Sequence, residues 1–260
     1  GDRFAFLCLS VLEMLPKISF KPHVIHCNDW HTGPVLMLLK EKYMKDSFYS
    51  DISGVFTIHN LEYQGNFPAG MFRLFNLGDE VFSPEKAEFY GMFSFMKAGL
   101  VYADVINTVS NTYAQEIQTP VYGERMEGLL QKRAGDLYGI VNGIDYHEFN
   151  PETDRNIEKN YSVDDLSGKL ADKYALQREM KLPAGDMPVF GLISRLSCQK
   201  GLDLILDRLD EIMKHDLQLV LLGTGDCFYE NAFRSAMEKY PEKIAVHIGF
   251  HPTLAQKIYA

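Results

Sequence analysis

The chain has 260 residues, 46% of them hydrophobic and 23% charged, with a formal net charge of -9 and a pI near 5.4. That length suits one large domain or two smaller ones, and two are expected. The acidic balance excludes broad charge-driven nucleic-acid binding, so any anion site has to be local. No apolar run approaches the roughly 18 residues of a membrane span.

Seven apolar, β-branched runs are predicted as strands: "HVIH" at 23–26, "GVFTIH" at 54–59, "DVINTVS" at 104–110, "YGIV" at 138–141, "VFGLI" at 189–193, "LQLVLLG" at 217–223 and "IAVHIG" at 244–249. Amphipathic stretches alternate with them, the pattern of a parallel sheet covered by helices on both faces. Leu202, Ile205, Leu206, Leu209, Ile212 and Met213 are spaced for one buried helical face, as are Phe228, Ala232, Ala236 and Tyr240. Segment 151–183, charged and bounded by prolines, reads as a connector followed by a helix. A domain boundary is expected just before Asp136, giving domains 1–135 and 136–260, with "YGIVNGID" opening the second. Gly1–Leu9 enters directly into an apolar segment and Leu254–Ala260 stops inside a helical pattern, so an excerpt of a longer chain is expected. Cys8, Cys27, Cys198 and Cys227 are scattered, without a CxxC pair or a secretory leader, which points to a reducing, cytoplasmic setting.

In open α/β sheets, ligands bind beyond the carboxyl ends of the strands. The residues just past the predicted strands are His26, Asn28, Asp29 and His31; His59 and Asn60; Ser110; Asn142 and Gly143; Arg195; Gly223 and Gly225; and Gly249 and Phe250. Arg195 is predicted at a strand tip and Lys200 just before a helical turn, beside free backbone N–H groups, a geometry that attracts phosphate. The plain alternative is a pair of solvated surface cations. "LLGTGD" at 221–226 suggests a tight turn with close backbone approach. It fails as a dinucleotide fingerprint, because Phe228 stands at the third glycine position, and a nicotinamide dehydrogenase is disfavoured.

"HCNDWH" at 26–31 holds His26, Asp29 and His31, but the spacing on a loop is not specific for a metal, and none is expected. Trp30, the only tryptophan, reads as a core anchor, and His31 is predicted near a helix start with a free imidazole. No GxSxG elbow or P-loop pattern occurs.

Six segments, "HCNDWHTGPV", "FTIHNLEYQGNFP", "FMKAGLVYADVINTVSNTYAQEI", "GIVNGIDYHEFNPETD", "ISRLSCQKGLDLI" and "LLGTGD", in this order and at these spacings, resemble bacterial glycogen synthase and plant starch synthase. The resemblance implies a GT-B glycosyltransferase, α/β with two Rossmann-like domains, both incomplete in this chain. It also implies transfer of glucose from ADP-glucose to the non-reducing end of an α-1,4-glucan, with retention of configuration and without a metal or other cofactor. By the same resemblance, Arg195 and Lys200 meet the nucleotide diphosphate, His31 contacts the transferred glucose, Asn142 lies at the sugar-phosphate end, Gly223 and Gly225 belong to the nucleotide-sugar site, Phe250 lies near the adenine, and Asn60 lines the cleft. ADP-glucose and glucan are the implied partners, with no nucleic acid or membrane, and the oligomeric state stays open.

Two departures matter. The family's lysine-containing glycine-rich loop and its Glu-Pro-Cys-Gly motif have no counterpart, so these 260 residues alone are expected to show no glucosyl transfer. Asp29 and Asp145 at strand tips make no compelling carboxylate pair for retaining glycoside chemistry. In the GT-B reading a departing phosphate takes the acceptor proton instead. The alternatives are a GT-B transferase using another donor such as UDP-glucose, and a catalytically silent glucan- or nucleotide-binding module.

Overall fold

A computed structural model describes residues 1–260, which divide into two compact units, Gly1–Gly143 and Ile144–Ala260. In the first unit α1 (Asp2–Lys17) leads to β1 (Val24–Asn28), then α2 (Gly33–Leu38) and β2 (Ser53–Ile58). There follow β3 (Asn66–Pro68), β4 (Glu88–Phe89), β5 (Met92–Ser94), α3 (Phe95–Tyr102), β6 (Val105–Thr108), α4 (Asn111–Glu116), α5 (Glu127–Lys132) and β7 (Leu137–Gly139). The main sheet has the order β1-β2-β6-β7 and is parallel throughout.

Parallel strands are buried on both faces and so read as continuous apolar runs. Phe56, Thr57 and Ile58 of β2 are all buried, and the one polar member donates from Thr57 Oγ1 to Asn107 Oδ1 of β6 at 2.7 Å. A helix that is apolar all round belongs inside. Every residue of α2 is buried, and α2 packs closely on α3. Gly33 and Gly99 permit that approach: a Cβ on Gly33 would overlap the Phe95 carbonyl oxygen, and one on Gly99 would overlap the Phe56 ring.

A second sheet, β3-β5-β4, is antiparallel and was not expected from the sequence. Its strands have two or three residues each, too few for any alternation to show. Phe93 and Phe95 carry it into the aromatic core with Phe72 and Phe75.

The second unit comprises α6 (Ser167–Glu179), β8 (Val189–Ile193), α7 (Leu202–Asp207), α8 (Leu209–Ile212), β9 (Gln218–Gly223), α9 (Cys227–Lys239), β10 (Ile244–Ile248) and α10 (Pro252–Tyr259). Its parallel sheet has the order β10-β9-β8. Gln218, buried at the start of central β9, accepts from Gln177 Nε2 at 2.8 Å and donates to the Pro183 carbonyl at 2.9 Å. Both polar side chains are thereby satisfied inside the unit.

Three expectations change. β7 pairs in register with β6, Thr108 opposite Gly139, so "YGIV" completes the first sheet instead of opening the second domain, and the units divide after Gly143 instead of Lys-Arg-Ala-Gly preceding Asp136. The helix expected over 202–213 breaks at Arg208, between α7 and α8. The buried face of α9 runs through Tyr229, Phe233 and Ala236, while Phe228, the second residue of the helix, stays exposed.

Gly33→Ala is expected to lower the stability of the first unit by about 1–3 kcal/mol, the usual cost of overpacking against a backbone that cannot move away. Thermal unfolding read out on Trp30 fluorescence checks this, and an unchanged midpoint would contradict the close α2–α3 approach.

Candidate functional site

In the first unit, β1 and β2 deliver their polar tips to one edge. Asn28 Oδ1 accepts from His59 Nε2 at 2.9 Å, and Asp29 Oδ1 accepts from the His59 backbone N–H at 2.8 Å. Asp29 holds φ 56° and ψ 177°, a conformation that only glycine adopts without strain. That residue turns the chain out of β1 into the short helical turn Trp30–Thr32, while its own N–H still donates to the Thr57 carbonyl at 2.9 Å.

The turn presents His31. Its imidazole stacks on Trp30 with ring centroids 3.9 Å apart and meets the edge of Phe4 at 4.7 Å. Cys8 Sγ donates to the His31 carbonyl at 3.4 Å. Beneath the stack, Gly65 at φ 58° leaves room for the Trp30 ring, with which any Cβ would overlap. The indole is therefore a wedge between the turn and the "YQG" segment, and the imidazole rests upon it. Asn60 Oδ1 accepts from the Glu62 N–H at 3.0 Å and so shapes its own loop. Ser110 caps α4, its Oγ accepting from the Tyr113 N–H at 3.2 Å. Asn142 lies beyond β7 on an exposed segment. His26 is bonded to Thr57 Oγ1 at 2.6 Å, so the histidines and Asp29 of "HCNDWH" are committed to separate partners.

In the second unit, a cavity of about 410 Å³ opens at the carboxyl ends of β8, β9 and β10. Arg195, Gly223, Thr224, Gly249, Phe250 and His251 line it. Its volume falls in the range of small-ligand sites, which combine apolar walls with a few placed polar groups. Phe250 is 90% exposed, a large ring held in solvent at the rim. The backbone that aims it is fixed on both sides: Gly249 N–H donates to the Gly223 carbonyl at 3.0 Å, and His251 Nδ1 accepts from Leu254 N–H at 3.1 Å to cap α10.

The Gly-x-Gly element has a packing reason. A Cβ on Gly223 would overlap the Ser194 carbonyl oxygen, and one on Gly225 the Leu196 carbonyl oxygen. The extensions of β8 and β9 cross there, with Leu196 N–H donating to Thr224 at 3.0 Å and Asp226 N–H to Leu196 at 2.8 Å. Gly223 also lines the cavity, whereas Gly225 does not.

Glu230, which no motif flagged, ties this loop to α9: its Oε1 accepts from Thr224 Oγ1 at 2.7 Å and from Gly225 N–H at 3.1 Å. The Gly225 and Thr224 hydrogen bonds hold its carboxyl below the ordinary glutamate range. A depressed folded value means that this contribution is complete above the unfolded value and is lost as pH falls through the folded one. Lys200 closes the turn Cys198–Lys200, ahead of Gly201 at φ 64° and α7, outside the cavity lining. Arg195, Gly223 and Phe250 are thus brought together, with Lys200 and Gly225 on adjoining turns; His31, Asn60 and Asn142 belong to the other unit.

Two parallel α/β units with polar residues beyond their strand ends define a Rossmann-like class of protein. The chain belongs to the family of the starch synthase catalytic domain, whose family model matches residues 1–132. It is 58% identical over 260 residues to a glycogen synthase of Desulforudis audaxviator, covering 100% of this chain and 52% of that protein. A glycogen synthase of Moorella thermoacetica is 56% identical over 258 residues, covering 99% of this chain and 53% of that protein. Among solved structures, the catalytic domain of starch synthase IV from Arabidopsis thaliana, bound to ADP and acarbose, matches with a TM-score of 0.92 at 28% identity, covering 99% of this chain and 54% of that one. The chain spans about half the length of the relatives it matches. No helix is long and apolar enough to cross a membrane.

Asp29→Ala is expected to destabilise the first unit by about 1–3 kcal/mol, since it leaves the His59 N–H without its acceptor and keeps the strained backbone. Asp29→Gly loses the same bond but relieves the strain, and is expected to lose less. Urea midpoints of the two variants decide this; a glycine variant as unstable as the alanine one would contradict it.

Proposed function

We propose that the protein carrying this chain is a retaining glucosyltransferase that moves glucose from ADP-glucose to the non-reducing end of an α-1,4-glucan, as in glycogen or starch synthesis. The observation that carries this reading is the cavity at the ends of β8–β10, lined by both Arg195 and the solvent-exposed Phe250. A guanidinium forks onto phosphate oxygens, and an exposed aromatic face suits a purine base. The starch synthase IV structure bound to ADP supports the nucleotide class.

In this reading Arg195 and Lys200 neutralise the diphosphate as the glycosidic bond breaks, a charge that exists fully only after bond cleavage, so their attraction acts on the rate. Lys200, beside the left-handed Gly201, is a compact point charge at the start of α7. His31, held by its stack on Trp30, donates to a hydroxyl of the transferred glucose. Asn142 serves the sugar-phosphate end, Gly223 and Gly225 the nucleotide side, and Asn60 the cleft wall. A cytoplasmic setting fits four cysteines without a disulfide.

In the full-length protein, Arg195→Ala and Lys200→Ala are each expected to lower kcat/KM for ADP-glucose by about ten- to a hundredfold, the worth of one charge-assisted hydrogen bond. Thermal midpoints should hold, because both side chains are exposed. His31→Ala should lower kcat more than it raises donor KM. Transfer of labelled glucose to glycogen from a panel of nucleotide sugars tests the reading. No transfer from ADP-glucose, or equal use of UDP-glucose, would overturn it.

A further inference from the structure

Glu230 lies in the first turn of α9, outside the cavity lining, and its side chain is 16% exposed. A carboxylate at that place in a helix ordinarily serves the helix itself, through the positive end of its dipole. This one reaches back into the loop before it. Oε1 accepts from Thr224 Oγ1 at 2.7 Å and from Gly225 N–H at 3.1 Å, while Oε2 lies 3.7 Å from Arg234. Asp226, at the N-cap, makes no side-chain cap bond.

The groups that Glu230 holds lie where the sheet ceases to hold them. Pairing of β9 with β10 ends at Gly223, opposite Ile248. On the β8 side the Thr224 carbonyl accepts from Leu196 N–H at 3.0 Å, and the Leu196 carbonyl accepts from Asp226 N–H at 2.8 Å. Gly225 N–H takes no part in those bonds, and Glu230 is its acceptor. Glycines on both sides of Thr224 give the segment wide backbone freedom, and freedom left in a free site has to be lost on binding.

Two walls of the nucleotide cavity depend on this segment. Gly223 and Thr224 line the cavity directly, and Leu196, braced by Thr224 and Asp226, follows Arg195 of the lining. The sign of the charge separates two ways in which Glu230 could act. A carboxylate behind a diphosphate site repels the ligand, so an effect through charge would lower ADP affinity. An effect through the two accepted hydrogen bonds raises it, because the loop is then ordered beforehand.

We propose that Glu230 is a positioning residue for the nucleotide: Oε1, as a hydrogen-bond acceptor, fixes the Thr224–Gly225 segment in its binding form and so raises the affinity for a nucleoside diphosphate that it does not touch. The proposal rests on the reading of the β8–β10 cavity as the nucleotide site and adds the residue that holds that site in shape.

The test is calorimetry of ADP binding to the full-length protein at neutral pH, with Glu230→Gln and Glu230→Ala. Glutamine keeps an acceptor oxygen at the same reach and drops the charge, whereas alanine drops both. Both variants lose the acidic first turn of α9 and the Arg234 pairing, so a fall in melting temperature from those causes is common to the two. ADP affinity is expected to stay within about twofold in Glu230→Gln and to weaken about three- to tenfold in Glu230→Ala. In Glu230→Ala the KM for the sugar donor should rise while kcat changes less. Should the alanine variant not fold, Glu230→Asp, which keeps the charge and withdraws the oxygens by one methylene, takes its place with the same expectation. Unchanged affinity in Glu230→Ala, tighter binding in both variants, or equal weakening in both would overturn the proposal and leave the nucleotide site standing. Absence of ADP binding by the unaltered protein would remove the nucleotide reading, and the proposal with it.

Discussion

Parallel strand pairing is the constraint from which the sites follow. When β1, β2 and β6 run side by side in one direction, and β8, β9 and β10 do the same, every chain reversal that carries polar residues out of a strand falls on one edge. That edge is where backbone groups lose their ladder partners and side chains of distant sequence converge. The Asn28–His59–Asp29 hydrogen bonds in the first unit and the Arg195–Phe250 cavity in the second are two products of one rule.

Small residues convert that rule into geometry. Gly223 and Gly225 allow the ends of β8 and β9 to cross at backbone distance, and Gly65 makes room for the indole that carries His31. Glu230 then locks the Gly-x-Gly loop from below. The backbone on either side of Phe250 is fixed by hydrogen bonds at Gly249 and His251, and the His31 ring is held by its stack on Trp30.

Much of this was legible in the sequence, and for physical reasons. Parallel strands read as β-branched or apolar runs, so all seven stood out, and polar residues follow them at the carboxyl edge. The hairpin sheet β3-β5-β4 did not, because two- and three-residue strands carry no period. Arg208 breaks a helix whose apolar spacing continues across the break, so periodicity alone joined α7 to α8. Phe228 and Tyr229 are adjacent aromatics, and only the helix start at Cys227 decides which one faces inward. Glu230 depends on contacts between residues unremarkable in sequence, and no local pattern announces it.

The carboxyl edge of β8–β10 is proposed to hold the nucleotide of the sugar donor. Photolabelling of the full-length protein with 8-azido-ADP-glucose, followed by peptide mapping, tests it most directly. Label confined to the peptide containing Phe250 and His251, and abolished by excess ADP, is the expected result. Label distributed over the first unit, or label that ADP does not compete away, would contradict it.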